Sequence, residues 1–428
     1  MLILLPKLSA DFHTQKLNKG LVYLLFYEMK KNIAIVGGGT ASLFLAAFLK
    51  PDLFNVSIFE QKNSLGRKFL VAGEGGLNLS HSEEMPALKS KYSPRHFSTA
   101  QLNKALDSFT NIDLQDWFKS IGIATFIGTS GRIFPQKGIK PINVLKAITS
   151  HLKAQNVAIF CNKTFTGWTS EDNLIFNHQE IIAADYTVFS LGGGSWKITG
   201  SNGDWLDIFQ QKGIKTEPFQ AANCAYQVCW PKEFIAQFAG TPLKNISISA
   251  GHKSQKGEAV ISSFGIEGNA IYPLTEEITA LLAAHQEAVI YIDFKPNWDL
   301  KTLIEKIKSS SANLSSTLKE NIKISPAIVQ LLKITLSKAE FLDINYLAAR
   351  IKKLPICLLA AANIDEAIST TGGVSLTAIN DNFELKNLKN NFCIGEMLDW
   401  NAPTGGYLIQ ACASMGAYLA GHLNKLSP

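Results

Sequence analysis

The chain has 428 residues, 46% of them apolar and 18% charged. That is enough apolar material for two or three packed domains and too little charge for a disordered chain. A formal net charge of +6 is a weak basic bias, so a nucleic-acid partner is not expected, and no apolar run is long enough to span a bilayer, so no membrane partner is expected either. Six scattered cysteines without a C-x-x-C pair argue for a reducing cytoplasm, and eight scattered histidines without ligand spacing argue against a metal site.

Residues 1–28 do not read as part of the fold. Their short apolar runs are broken by Pro6 and Asp11, they lack signal-peptide architecture, and Met29 stands directly before a strand. The functional chain is therefore expected to begin near Met29. Asn32 to Val36 reads as a buried parallel strand that runs into Gly37-Gly38-Gly39-Thr40-Ala41-Ser42 and an apolar helix ending at Lys50-Pro51. A second strand, Val56 to Phe59, ends in Glu60, 23 residues after Gly37. Strand, G-x-G-x-x-S, helix, strand and acid is the dinucleotide-binding layout. Gly37 allows the tight turn, Gly39 admits a pyrophosphate against the backbone, and the helix start at Thr40 offers N–H groups and a positive dipole end. Ser42, at the usual third glycine, is still small enough for close helix–strand packing. Glu60, with Gln61 beside it, can accept from ribose hydroxyls.

The next segment points to FAD. Arg67 and Lys68 can offset pyrophosphate charge, and the glycines of 73–76, leading to Asn78, let backbone approach a flat ring. A later strand, Tyr186 to Leu191, enters Gly192, and Asn391 to Ile394 enters Gly395-Glu396. A strand ending in glycine and an acid suits the ribityl hydroxyls. Gly405 and Gly406 then open the last helix near Leu408, whose N-terminus suits the flavin N1–C2=O edge.

Between these pieces the pattern changes. Short alternating runs from Thr216 to Phe294 read as antiparallel strands. Asp299, Ser325-Pro326 and Asp343 each read as a helix start. The expected organisation is an FAD-binding part at 29–214, an inserted β-rich, barrel-like domain at 215–297, a helical part at 298–362, and the rest of the FAD domain at 363–428.

The segments GRKFLVAGEGGLNLSHSE (66–83), GTSGRIFPQKGIKPINVLKAI (128–148), SLGGGSWKITGSNGDW (190–205), SSFGIEGNAIY (262–272), STTGGVSL (369–376) and GEMLDWNAPTGGYLIQACASMG (395–416) resemble the bacterial BaiN-like NAD(P)/FAD-dependent oxidoreductases, within them the aminoacetone oxidase family FAD-binding branch. The resemblance runs colinearly over about residues 30–421. It implies a Rossmann-like two-dinucleotide FAD domain with an insert, and little about substrate. Ser262-Ser263-Phe264-Gly265 departs from that pattern, which more often has a histidine or arginine and a tyrosine there, so no catalytic acid or base is assigned.

With no second complete fingerprint, NAD(P)H is a candidate for a transient electron donor, and oxygen for an oxidant. The main expectation is an FAD-dependent oxidoreductase acting on a small-molecule substrate. The alternatives are an FAD protein of RNA modification, which would need a basic, aromatic-lined face in the insert, and a flavin-binding protein without turnover. The lysine-rich runs 301–308 and 351–353 read as solvated helix faces. Cys224 and Cys229 read as core thiols of the insert, and His81 as an exposed loop residue.

Overall fold

The computed structural model describes residues 30–72, 76–93, 99–310 and 313–426. The expected start near Met29 and most of the 73–76 glycine run, Gly73 to Gly75, lie outside these residues. The first core is built on a five-stranded parallel sheet. Its strands are β1 (Lys31–Val36), β2 (Phe54–Glu60), β3 (Ala158–Cys161), β4 (Tyr186–Phe189) and β5 (Asn391–Cys393), in the order β5-β4-β1-β2-β3. Ile33, Ala34, Ile35 and Val36 of β1 are all buried, as a central parallel strand covered on both faces requires. One face is covered by helix α1 (Thr40–Phe48), which packs on the final helix, α3 (Tyr407–Leu426). A shorter helix between them in sequence, α2 (Arg67–Val71), follows β2. The other face is covered by a three-stranded antiparallel sheet over 165–182. Its Phe176 stacks on Phe59 at 4.7 Å, and its Phe165 meets Phe189 at 5.2 Å.

β5 lies about 200 residues after β4, yet pairs with it in parallel register, Phe189 opposite Cys393. The first and last parts of the chain therefore complete one sheet. The segment between them leaves and returns through an antiparallel pair, Thr216–Ala222 with Ser369–Val374. It encloses a second core around a six-stranded antiparallel sheet. Strand Tyr226–Gln227 at one edge is joined to the chain just past the other edge. Leu359 N–H donates to Gln227 O at 3.0 Å, and Gln227 N–H donates to Ala360 O at 2.8 Å. The sheet thus curls on itself, and its edges are covered.

Asp299, Ser325 and Asp343 each cap the helix expected after them, accepting from Thr302, Ile328 and Asn345 N–H respectively. The range 298–362 is not all helical, however. Strand Leu354–Leu358 returns to the curled sheet beside Ala288–Asp293, and Leu354, Ile356 and Leu358 face the core.

Candidate functional site

The site starts at the turn after β1. Gly37 has φ +104°, and a Cβ there would lie 2.5 Å from Ser190 O, so only glycine lets this turn press against the end of β4. Gly38 is equally confined, by Leu65 and Glu60. Gly39 differs: a Cβ there would meet no atom within 4 Å, because it faces an open cleft. Ser42, fully buried, donates to Gly37 O at 2.5 Å and shares a hydrogen bond with Ser190, so the third motif position ties the turn to β4 and lies outside the cleft lining.

Glu60 ends β2 under the turn. Its carboxylate accepts from Gly38 N–H at 2.7 Å and Lys62 N–H at 2.8 Å. Burial pushes its pKa up, against the pull of those two backbone donors. Glu60 therefore braces the turn as well as lining the cleft, and each oxygen keeps acceptor capacity for a hydroxyl. Gln61 donates to Gly200 O and lines the same cleft.

α2 brings up the two basic residues. Arg67 donates through Nη1 to Asn63 at 3.1 Å and through Nη2 to Ile198 O at 3.4 Å, while its Nε is buried without a hydrogen-bond partner among the described residues. Lys68 turns the other way. Its ammonium bonds both carboxylate oxygens of Glu396 and Ser195 Oγ, each at 3.0 Å, so all three of its hydrogens are used. The two partners are 328 residues apart. The pair that sequence reasoning assigned to pyrophosphate charge is thus divided. Lys68 holds the acid of the C-terminal loop, and Arg67 is the cation left facing the cleft.

Gly395, at φ +85°, follows β5, and a Cβ there would lie 2.9 Å from the Cβ of Ala41 in α1. Trp400 Nε1 donates to its carbonyl at 2.8 Å. One cleft is lined by Gly37, Gly39, Thr40, Glu60, Gln61, Arg67, Lys68, Gly192, Gly395, Glu396 and Leu408. Besides Ser42, three expected residues stand beside it. Gly405 and Gly406 have positive φ and pack on Arg132 and on the Ser80 backbone, where a Cβ at Gly406 would lie 2.6 Å away. Asn78 donates to Gly76 O and keeps a buried Oδ1 without a partner among the described residues. Ser80 donates to Gln410 Oε1 at 2.6 Å, so these loops fix where α3 begins.

Other lining residues escaped sequence reasoning. Thr199 to Asn202 and Asp204 come from the segment after the Gly192 run, Trp205 from the helix that follows it, and Lys163 to Phe165 from the segment after β3. Nothing in their spacing signals a site, although 190–205 belongs to a quoted family segment. Cys412 also lines the cleft. Burial, and then the Glu396 charge, push its thiol up to about 12, so it is a neutral S–H at ordinary pH. His81 is not an exposed loop residue. It stacks on Tyr407 at 5.3 Å and its Nε2 meets Ser130 O at 3.0 Å. Of the two insert thiols, Cys224 is buried and pushed up to about 11, but Cys229 is exposed.

A bound FAD can be tested against these residues. The open space above Gly39, the start of α1, which carries no side-chain cap, and Arg67, whose buried Nε has no hydrogen-bond partner among the described residues, line one cleft, and an anionic pyrophosphate fits that set. Among the described residues no helix is long and apolar enough to cross a membrane, and no group of three or more His, Cys, Asp or Glu could hold a metal.

Residues 31–423 match the family described as HI0933-like protein Rossmann domain. A 3-dehydro-bile acid delta(4,6)-reductase of Clostridium scindens is 24% identical, over 91% of this chain and 98% of the relative. Ribosomal RNA dihydrouridine synthase of Haemophilus influenzae is 23% identical, over 90% and 96%. Among solved structures, the 3-ketosteroid delta1-dehydrogenase of Sterolibacterium denitrificans superposes with a TM-score of 0.50 at 13% identity, over 93% of this chain and 100% of the other, a likeness of fold.

Proposed function

The chain belongs to the HI0933-like Rossmann family and is an FAD-dependent oxidoreductase, and we propose that its substrate is a small organic molecule. FAD, when bound, supplies two-electron hydride chemistry. The observation that carries the reading is the meeting of the Gly37–Glu60 turn and the Gly395–Glu396 loop across one cleft, joined by Lys68.

The chain's own residues divide the work of holding the group. The N–H groups at the start of α1 and the guanidinium of Arg67 would take the pyrophosphate, and Glu60 the adenosine ribose. Glu396, oriented by Lys68, would accept from the ribityl hydroxyls. Ile394, Leu408, Ile409 and Cys412 surround that end with apolar groups and one neutral thiol, which excludes water without adding charge. The Clostridium relative is named as a 3-dehydro-bile acid delta(4,6)-reductase, which supports an enone-like substrate; NAD(P)H is proposed as the donor because the chain carries no second complete fingerprint for a resident one. The test is to release the flavin and identify it by chromatography, then follow flavin absorbance anaerobically with NADH or NADPH and with enones, amines and steroid-like compounds. Absence of FAD, or a flavin that none of these donors or substrates bleaches or restores, would sink the reading.

A second reading rests on the dihydrouridine synthase relatives in Haemophilus influenzae and Escherichia coli, the latter 21% identical over 88% of this chain. On that reading the substrate is a uridine of ribosomal RNA. Incubating an rRNA fragment with the reduced protein and looking for a two-hydrogen mass gain distinguishes the two.

A further inference from the structure

The insert carries a second pocket, which shares no residue with the cleft. Three turns converge on it: the bulged start of strand Pro242–Ala250, the turn after strand Ala288–Asp293, and the turn leading into helix Pro326–Thr335. Each turn contributes a lysine, namely Lys244, Lys295 and Lys323. Among the described residues none of the three has a carboxylate within ion-pair distance. The nearby acids are engaged elsewhere: Asp293 pairs with Lys352 at 2.6 Å, and Asp299 caps its helix through Thr302 N–H at 2.7 Å.

Two of the three, Lys295 and Lys323, are held close together, while Lys244 is exposed at the rim. Lys295 is half-buried, and its ammonium donates to a carbonyl, Lys323 O, at 3.1 Å. Burial and the charge of Lys323 push its pKa down, so the pocket disfavours its own cation in the absence of an anion. Lys323 sits at φ +55°, a left-handed conformation uncommon for a residue with a side chain. Ser325 caps the ten-residue helix Pro326–Thr335, whose positive dipole end opens onto the same pocket. Lys295 and Lys306 lie 5.2 and 5.0 Å from the Trp298 ring centroid, so that ring carries ammonium groups rather than a free face. Between positions 293 and 353, Lys and Arg outnumber Asp and Glu by eleven to six, so the basic bias of the whole chain is concentrated here.

We infer that this pocket binds a phosphate group, with Lys244, Lys295 and Lys323 supplying the counter-charge. Three lysines lining one pocket, with a helix N-terminus beside them, match a multiply charged anion with several acceptor oxygens better than a single carboxylate. The cavity, about 540 Å³, has room for more than a bare ion. The phosphate can belong to a small phosphorylated molecule or to an RNA backbone. Because Trp298 is already covered, recognition is of phosphate and not of base. The inference does not depend on the flavin reading.

The test uses full-length holoprotein with three probes: inorganic pyrophosphate and 5′-AMP by calorimetry, and a short labelled RNA by anisotropy, at about 50 and about 200 mM salt. At least one probe should bind saturably. The double variant Lys295→Glu/Lys323→Glu should weaken it by roughly tenfold or more, and Lys295→Gln/Lys323→Gln in the same direction by less. Lys338→Glu, an exposed lysine outside the pocket, should leave it unchanged, and flavin content should be unchanged throughout. AMP binding as tightly as RNA assigns a small phosphorylated ligand; RNA binding alone, steeply weakened by salt, assigns a nucleic-acid backbone. No binding of any probe, or equal loss in Lys338→Glu, overturns the site.

Discussion

A Cβ at Gly39 would find no atom within 4 Å, whereas one at Gly37 would lie 2.5 Å from Ser190 O. Two glycines of one motif thus serve different ends, and valine should separate them. Gly39→Val should remain folded, losing about 1 kcal/mol of N-cap preference, but its side chain would fill the place of the pyrophosphate. The flavin-to-protein ratio should fall to near zero with unchanged circular dichroism, while Gly37→Val should fail to give soluble protein. A yellow Gly39→Val would refute the placement. Glu396→Ala removes charge-assisted acceptors and should weaken FAD binding by about 1.5–3 kcal/mol, read from the dissociation constant in a fluorescence titration. Lys68→Met should act in the same direction, and the double variant should lose less than the sum, because the two side chains hold one another. Gly37, Gly39, Gly395 and both acids were legible from sequence because each sits where a strand ends and a helix or loop begins. The Lys68–Glu396 bond was not, since no local pattern reports which cation a distant carboxylate will reach.

α3 contains two glycines with opposite surroundings. At Gly416 a Cβ would lie 2.7 Å from Leu45 N and 2.8 Å from Ala41 O, backbone atoms of α1 that have no room to move aside. At Gly421 it would meet nothing within 4 Å. Helix propensity alone favours alanine at both by roughly 0.5–1 kcal/mol. The expected result in thermal unfolding is that Gly421→Ala stabilises by about that amount, while Gly416→Ala destabilises by about 1–3 kcal/mol through overpacking. Destabilisation of both, or of neither, would contradict this α1–α3 contact. The helix starts at Asp299, Ser325 and Asp343 were readable because a capping side chain acts within three residues of its own position. Strand Leu354–Leu358 was missed for the converse reason. Its LPICL run is short, it follows a helix directly, and what makes it a strand is pairing with Ala288–Asp293 more than sixty residues earlier.

Each of the two buried cores gathers its own sheet, and the chain passes between them through the Thr216–Ala222 and Ser369–Val374 pair. Calorimetry should therefore resolve two unfolding transitions. Excess FAD should raise only the one belonging to the parallel-sheet core, by about 2.7 kcal/mol at a hundredfold excess over its dissociation constant. A single transition that shifts as a whole would show that the cores unfold together. That both ends of the chain share one domain was legible, because flavin-type segments stand at both ends. The closure of the curled sheet was not, since it depends on bonds from Gln227 to Leu359 and Ala360 that follow no periodic signal.

The pairing of β5 with β4 also imposes a timetable on synthesis. A ribosome adds roughly 5–20 residues per second, so several tens of seconds pass between the emergence of β1 and that of Glu396. Through that interval the glycine turn, Glu60 and Arg67 are already made, while Lys68 lacks its acid and the edge of β4 is unpaired. The insert, whose strands and helices are all made before β5, can fold in the meantime. The nascent chain must therefore keep a half-built sheet from pairing with its neighbours, and FAD can be held on both sides only once residue 396 has cleared the exit tunnel.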